Sequence, residues 1–141
     1  LRAIAARERA AQERALRLTP PDAIDDGEPR HLRPHGRAIL RGHPTAGCAR
    51  GRAVIVRSLA GAPTTLPFDA ILVVPAILPS LTYLLPAARA LVTDHGGATS
   101  HGATLAREYG VPAVLGTGRA TSLTDGAELY VDATSGRVYL L

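Results

Sequence analysis

The sequence predicts an α/β domain built on a mixed sheet with flanking helices, and three observations carry that expectation. Short apolar runs of strand length alternate with helical segments through the middle of the chain. The last fifteen residues, "AELYVDATSGRVYLL", alternate about a turn at Ala133 to Gly136, which reads as a closing hairpin. A length of 141 residues suits one domain, long enough to bury a core.

Residues 2 to 18, "RAIAARERAAQERALRL", are rich in helix formers, with Ile4, Ala11, Ala15 and Leu18 on a thin apolar stripe. A helix with so wide a charged face is expected to lean on a neighbouring domain. "TPPDAIDDGEPRHLRPHG" follows with four prolines and two glycines and reads as a linker. We therefore expect a connector over residues 1–38 and a compact domain over 39–141.

Within the compact part, "ARGRAVIVRSL" predicts a strand around residues 53 to 59, introduced by glycines at 42, 47 and 51. "FDAILVVPAI" predicts a second strand, of the almost continuously apolar kind that is buried on both faces. "PSLTYLLPAARA" predicts a helix with Pro79 in its first turn and Leu81, Leu84, Leu85 and Ala88 on one face. "ALVTD" and "PAVLG" predict a third and a fourth strand on either side of a further helix.

Composition removes several function classes. Hydrophobic residues make up 46% and charged residues 20%, a globular balance, and with aromatics at 4% and no Met or Trp the core must be aliphatic. All sixteen basic residues are Arg, so a Walker P-loop, a lysine Schiff base and a Ser-x-x-Lys nucleophile are excluded. A net charge of +4 comes without stacking aromatics or a recognition motif, so neither nucleic acid nor a membrane is expected as partner. Cys48 stands alone and no apolar run approaches a membrane span, from which we expect a cytoplasmic location. A first residue of Leu suggests a piece of a longer chain.

The stretch "TDHGGATSHGATLAREYGVPAVLG", residues 93 to 116, carries the chemistry. Gly96 and Gly97 let the backbone turn sharply and approach a ligand. Thr99 or Ser100 is the natural N-cap of a helix from about His101 to Tyr109, stopped by Gly110 and Pro112. His101 then lies in the first turn, where free N–H groups and the dipole favour a neutral imidazole and welcome an anion. A neutral imidazole has one unprotonated nitrogen, the nucleophile, and the Thr99 hydroxyl can fix its tautomer. A phosphoryl group taken up there would place its oxygens on the helix N-terminus and the glycine amides.

Other readings of these residues stand beside that one. "ATSHG" resembles a serine-hydrolase elbow with Ser100 as nucleophile, although no later histidine follows except the adjacent His101. Asp94, His95 and His101 are metal-ligating types at a spacing that matches no strong motif. A plain helix-cap residue is the third reading of His101. His31, His35 and His43 lie in or beside the linker and are expected to be exposed, and His95 is expected to be structural or to support His101 from the same cleft. Arg107 is expected first to neutralise the helix C-terminus, with capping a carbonyl or reaching a partner's phosphate as the other readings.

The run Gly96, Gly97, Thr99, Ser100, His101, then Ala106, Arg107, Glu108, then Gly110, Val111, Pro112, Ala113, Val114 resembles the phosphohistidine, or swivelling, domain of the phosphoenolpyruvate-utilising enzymes. "GHPTAGCARGRA", "AILVVP" and "LTDGAELYVDATSGRVYLL" extend the resemblance over about residues 40 to 141. It implies a swivelling β/β/α fold in which His101 carries a phosphoryl group between two active sites, with Thr99, Ser100, Gly96 and Gly97 around it and Arg107 in a secondary role. It further implies that this domain binds no cofactor or metal itself. ATP and Mg²⁺ would sit on an ATP-grasp domain of the same parent chain, and a small-molecule acceptor such as pyruvate on another. A rifamycin-type antibiotic phosphotransferase, a phosphoenolpyruvate-dependent carrier-protein phosphotransferase and a catalytically silent interaction module are the alternatives. Thr104 departs from the aliphatic residue usual at its position, and "PAILPSLTYLLP" lacks the Asp-Pro and Trp pattern of the rifamycin-type enzymes.

Overall fold

The computed structural model describes residues 23–25, 28–30 and 37–141. The helix expected over residues 2 to 18 lies outside the described residues. In the segment read as a linker, β1 (Ala23–Asp25) and β2 (Glu28–Arg30) pair antiparallel, Ile24 opposite Pro29. A two-stranded ribbon is all edge, and an edge tolerates the missing proline donor.

Seven strands form one mixed sheet in the order β3-β9-β8-β4-β5-β6-β7. These are β3 (Leu40–Arg41), β4 (Cys48–Ile55), β5 (Ala70–Val74), β6 (Ala90–Thr93), β7 (Ala113–Val114), β8 (Glu128–Asp132) and β9 (Arg137–Leu140). The strands β4 to β7 run parallel to one another, while β8 is antiparallel to β4, and β9 pairs antiparallel with both β8 and β3. Beyond the two end strands, His43 bridges Leu115: its N–H donates to the Leu115 carbonyl at 2.6 Å and its carbonyl accepts from Leu115 N–H at 3.2 Å. That bridge joins the first strand of the sheet to the last and closes it into a barrel. Closure satisfies polar groups that an open sheet would leave unpaired at both edges.

Alternation along the strands sorts the core into two parts. Ile71, Val73, Ala90, Val92 and Val114 face Leu40, Ala53, Leu129, Val131 and Val138 inside the barrel. Ala70, Leu72, Val74, Leu91, Ala113 and Leu115 face outward and are covered by the connections of the parallel half. All of β5 is fully buried, as its apolar run predicts.

Those connections are 3₁₀ helix η1 (Leu59–Gly61), 3₁₀ helix η2 (Pro79–Ala87) and α-helix α1 (His101–Tyr109), with a further 3₁₀ turn, η3 (Ala120–Ser122), before β8. Segment η2 buries Leu81, Leu84 and Leu85, the expected face, but it winds as a 3₁₀ helix. Pro86 inside it has no N–H to give and would press on the carbonyl four residues back in an α-helix.

The sheet departs from the sequence reading at two strands. The strand expected at 53 to 59 runs from Cys48 to Ile55, because β8 pairs with it from Cys48 opposite Asp132 onward. Strand β3 was not expected, since two residues with one inward side chain carry no periodicity. Strands β6, β7 and the β8–β9 hairpin lie where they were expected. No helix among the described residues is long and apolar enough to cross a membrane.

Glycines make the closing seam possible. A Cβ on Gly42 would run into the Leu115 carbonyl oxygen, and one on Gly136 into the carbonyl oxygen of Gly42, whose N–H donates to Gly136 O at 2.9 Å. Gly42→Ala should therefore force the seam apart and cost about 1–3 kcal/mol, as overpacking does. Gly61→Ala, whose Cβ would meet Ser58 Oγ at 3.9 Å in an ordinary contact, should stay within about 0.5 kcal/mol. Equilibrium denaturation of both variants checks this, and equal stability would remove the seam from the account.

Candidate functional site

The site grows from the end of β6. Thr93 is buried, and its hydroxyl donates to His95 O at 2.7 Å while accepting from Gly116 N–H at 3.3 Å. Its carbonyl accepts from Thr117 N–H and from the Thr117 hydroxyl. One residue thus ties the turn after β6 to the segment after β7. Asp94 is spent on the scaffold, accepting Thr121 N–H at 3.0 Å and the Thr121 hydroxyl at 2.5 Å. His95 is exposed, and its backbone N–H donates to Pro75 O at 2.8 Å.

Gly96 has φ of 124°, a backbone conformation that favours glycine, and its carbonyl packs so closely on Gly116 that a Cβ at Gly116 would run into it. Gly97 O then accepts both the N–H (3.0 Å) and the hydroxyl (2.8 Å) of Ser100. Ser100 is the N-cap of α1: its backbone is extended, and its hydroxyl oxygen accepts from Ala103 N–H at 3.2 Å. At the other end Gly110, with φ of 64°, closes the helix in the left-handed conformation. Both ends lie where the sequence put them.

His101 is the first residue of α1 and its side chain is exposed. The amides of His101 and Gly102 have no hydrogen-bond partner among the described residues, since the cap takes Ala103 N–H and the Ser100 carbonyl takes Thr104 N–H. There is no acidic residue in the first turn. An anion beside the imidazole therefore meets two free donors and the positive end of the helix. Thr99 is exposed next to it, and its hydroxyl makes no hydrogen bond among the described residues.

Arg107 does not spend its charge at the helix C-terminus. The side chain runs back along α1, and Nη2 donates to Ala98 O at 2.9 Å. It caps a carbonyl, as one of the three readings had it, and the carbonyl belongs to the turn that carries His101. Thr104, the departure from the family pattern, bonds back to the Ser100 carbonyl at 3.3 Å and so satisfies its hydroxyl locally.

The structure adds a residue that sequence reasoning set aside. His43, exposed and distant in the chain, rests its imidazole against the glycine turn: Nε2 lies 3.8 Å from the position of a Cβ on Gly97. No local signal marks it, because the barrel-closing bridge to Leu115 brings it there. His31 and His35 lie outside the described residues.

Two rival readings lose their footing in this geometry. The Ser100 hydroxyl proton is committed to Gly97 O and its oxygen to Ala103 N–H, so no base holds it as a nucleophile. Among the described residues no three His, Cys, Asp or Glu side chains group to hold a metal, and Asp94 is already engaged with Thr121.

The cap and the helix interior give opposite stability effects. Ser100→Ala should cost about 1 kcal/mol through the lost cap. At Gly102 a Cβ would meet Ile77 at 3.6 Å, an ordinary contact, so Gly102→Ala should stabilise by about 0.5–1 kcal/mol. Thermal unfolding of the two variants reads both signs, and a destabilised Gly102→Ala would mean that the helix start is packed more tightly than described.

Comparison with known proteins places this arrangement. A family model described as "PEP-utilising enzyme, mobile domain" matches residues 66–136, about half of the chain, and that span includes the glycine turn, His101 and all of α1. The chain is 49% identical over 96 residues to chondramide synthase of Chondromyces crocatus, covering 67% of this chain and 2% of that protein. It is 40% identical over 108 residues to a phosphoenolpyruvate synthase of Aeropyrum pernix, covering 75% and 13%. It is 39% identical over 132 residues to a rifampicin phosphotransferase of Streptomyces sviceus, covering 88% and 15%. The chain thus spans a small part of the length of each relative. On the match to the family model and the site it contains, the chain belongs to the mobile-domain family of the PEP-utilising enzymes.

Proposed function

We propose that this domain is a phosphoryl carrier and that His101 is the residue that carries. The observation that supports this best is the exposed imidazole on the first residue of α1, beside two unpartnered amides and with no carboxylate in the turn. The unprotonated ring nitrogen attacks the phosphorus of the donor. An N–P bond forms as the P–O bond to the leaving group breaks, and the leaving oxygen takes the electron pair. The amides of His101 and Gly102 face the charge that develops on the phosphoryl oxygens. Ser100 acts as positioning residue through its cap, and Arg107 through the Ala98 carbonyl. Thr99, free in the resting domain, closes on the imidazole to fix its tautomer.

The chain has no lysine and no P-loop, which supports a division of labour in which a nucleotide-binding domain of the ATP-grasp kind, with ATP and Mg²⁺, supplies the phosphoryl group. A second domain binds the acceptor, pyruvate in the reading that follows the phosphoenolpyruvate synthase relative. The similarity to a rifampicin phosphotransferase, which covers more of this chain, supports an antibiotic hydroxyl as the alternative acceptor.

The polypeptide that carries this domain, incubated with ATP and Mg²⁺ and quenched in alkali, should gain one phosphoryl group that acid removes. His101→Ala should gain none while losing no more than about 0.5 kcal/mol of stability, as expected for an exposed side chain. Intact mass spectrometry with thermal unfolding reads both, and an adduct that survives in the variant would move the carrier role elsewhere. Labelling by phosphoenolpyruvate alone would place the protein with the carrier-protein phosphotransferases, and no adduct from either donor with the silent modules.

Thr99→Val should slow the labelling about three- to tenfold, the worth of one neutral hydrogen bond in the transition state. Rapid-quench kinetics measure it. An unchanged rate would take Thr99 out of the mechanism and leave His101 in place.

A further inference from the structure

Beside strand β3 lies a cleft of about 630 Å³ walled by Arg37, Arg41 and Arg119, with Thr117 and Ile39 between them. The three arginines are exposed and none forms an ion pair among the described residues. Arg119 is held in place, its Nη2 donating to Ile39 O at 3.0 Å. Arg41 stands directly opposite Arg137 across the β3–β9 pairing, and like charges in that relation destabilise a sheet. The fold therefore concentrates positive charge here, with no counter-charge paired to it among the described residues.

The position adds a second argument. The cleft follows the seam that closes the barrel. Thr117, on its wall, bonds to Thr93 O and directly follows Gly116, on which the Gly96 carbonyl rests. Two residues beyond Arg41, His43 lies against Gly97. The cleft thus runs toward the turn that carries His101, yet its donors belong to other elements.

We propose that this cleft is an anion site that takes a phosphorylated small molecule, held by the guanidinium groups of Arg37, Arg41 and Arg119. Planar guanidinium forks pair with phosphate oxygens two at a time, and three of them match a multiply charged anion rather than a single carboxylate. The volume falls in the range of about 300–1,000 Å³ typical of small-ligand pockets, whereas an acidic protein surface needs no cavity.

Inorganic pyrophosphate is the probe. Isothermal titration of the protein should show saturable binding at one site, weakened by added salt. Arg41→Gln and Arg37→Gln should each weaken it about tenfold or more. Both side chains are exposed and make no hydrogen bond among the described residues, so neither change threatens the fold. Arg52→Gln removes the same charge from β4, where Asp69 pairs with it, and should change the affinity less than about twofold. His101→Ala should retain binding. Absence of saturable binding, an equal loss in Arg52→Gln, or binding of an acidic peptide but not of pyrophosphate overturns the proposal. So does loss in His101→Ala, which would put the anion on α1 and leave the carrier reading untouched.

Discussion

The placement of the candidate site depends on one seam, where His43 and Leu115 exchange two backbone hydrogen bonds and the Thr45 hydroxyl donates to Ala113 O while accepting from Ala113 N–H. The strands β3 and β7 are two residues each, too short to hold a sheet edge alone. Joined across the bridge, they turn a seven-stranded sheet into a barrel whose interior is filled by aliphatic side chains. The approach is close enough to exclude side chains along a line from Gly136 to Gly42 to Leu115, and again from Gly116 to Gly96. The β8–β9 hairpin and the turn that carries His101 are thereby locked to one another through backbone contacts, which have little freedom to relax.

That rigidity suits the carrier role proposed for His101. Phosphoryl transfer is governed by positioning and by electrostatics at the transferred group, so a carrying imidazole would have to present the same face at each site it visited. The turn from 94 to 100 is tied down by Thr93, Pro75, Thr121 and Arg107, and α1 is capped at both ends. The side chains of His101 and Thr99 and the first two helix amides make no hydrogen bond among the described residues. The scaffold fixes the backbone and leaves the imidazole open, an arrangement that loops on a packed framework commonly provide. The arginine cleft lies along the same seam, so the bridge that aims His101 also sets the distance between the two.

The aliphatic composition bears on how this is built. With one Phe, four Tyr and no Trp or Met in the chain, the barrel interior has to be filled by Ala, Val, Leu and Ile. Small inward residues such as Ala53, Ala90 and Ala120 allow opposite strands to approach, and the outer face receives Leu81, Leu84 and Leu85 of η2. A helical face with the right residues was legible in that segment, but its winding was not, because Pro86 decides the hydrogen bonding while the leucines decide only the face.

The sequence by itself determined what depends on near neighbours. The helix from His101 to Tyr109, its serine cap, the Gly110 stop, the buried character of β5 and the turn at Ala133 to Gly136 all follow from residues within a few positions of one another. The same is true of the candidate site around His101, whose parts lie within one short stretch. Tertiary structure alone decided where β4 begins, that β3 exists, and that the sheet closes. Those outcomes depend on pairing partners 70 residues or more away, which leave no periodic mark on the strand itself. It also brought His43 to the glycine turn, sent Arg107 to Ala98 and gathered Arg37, Arg41 and Arg119 into one cleft. A residue's type limits what chemistry it can do, but the company it keeps across a closed barrel is set by backbone hydrogen bonds that no single stretch of sequence encodes.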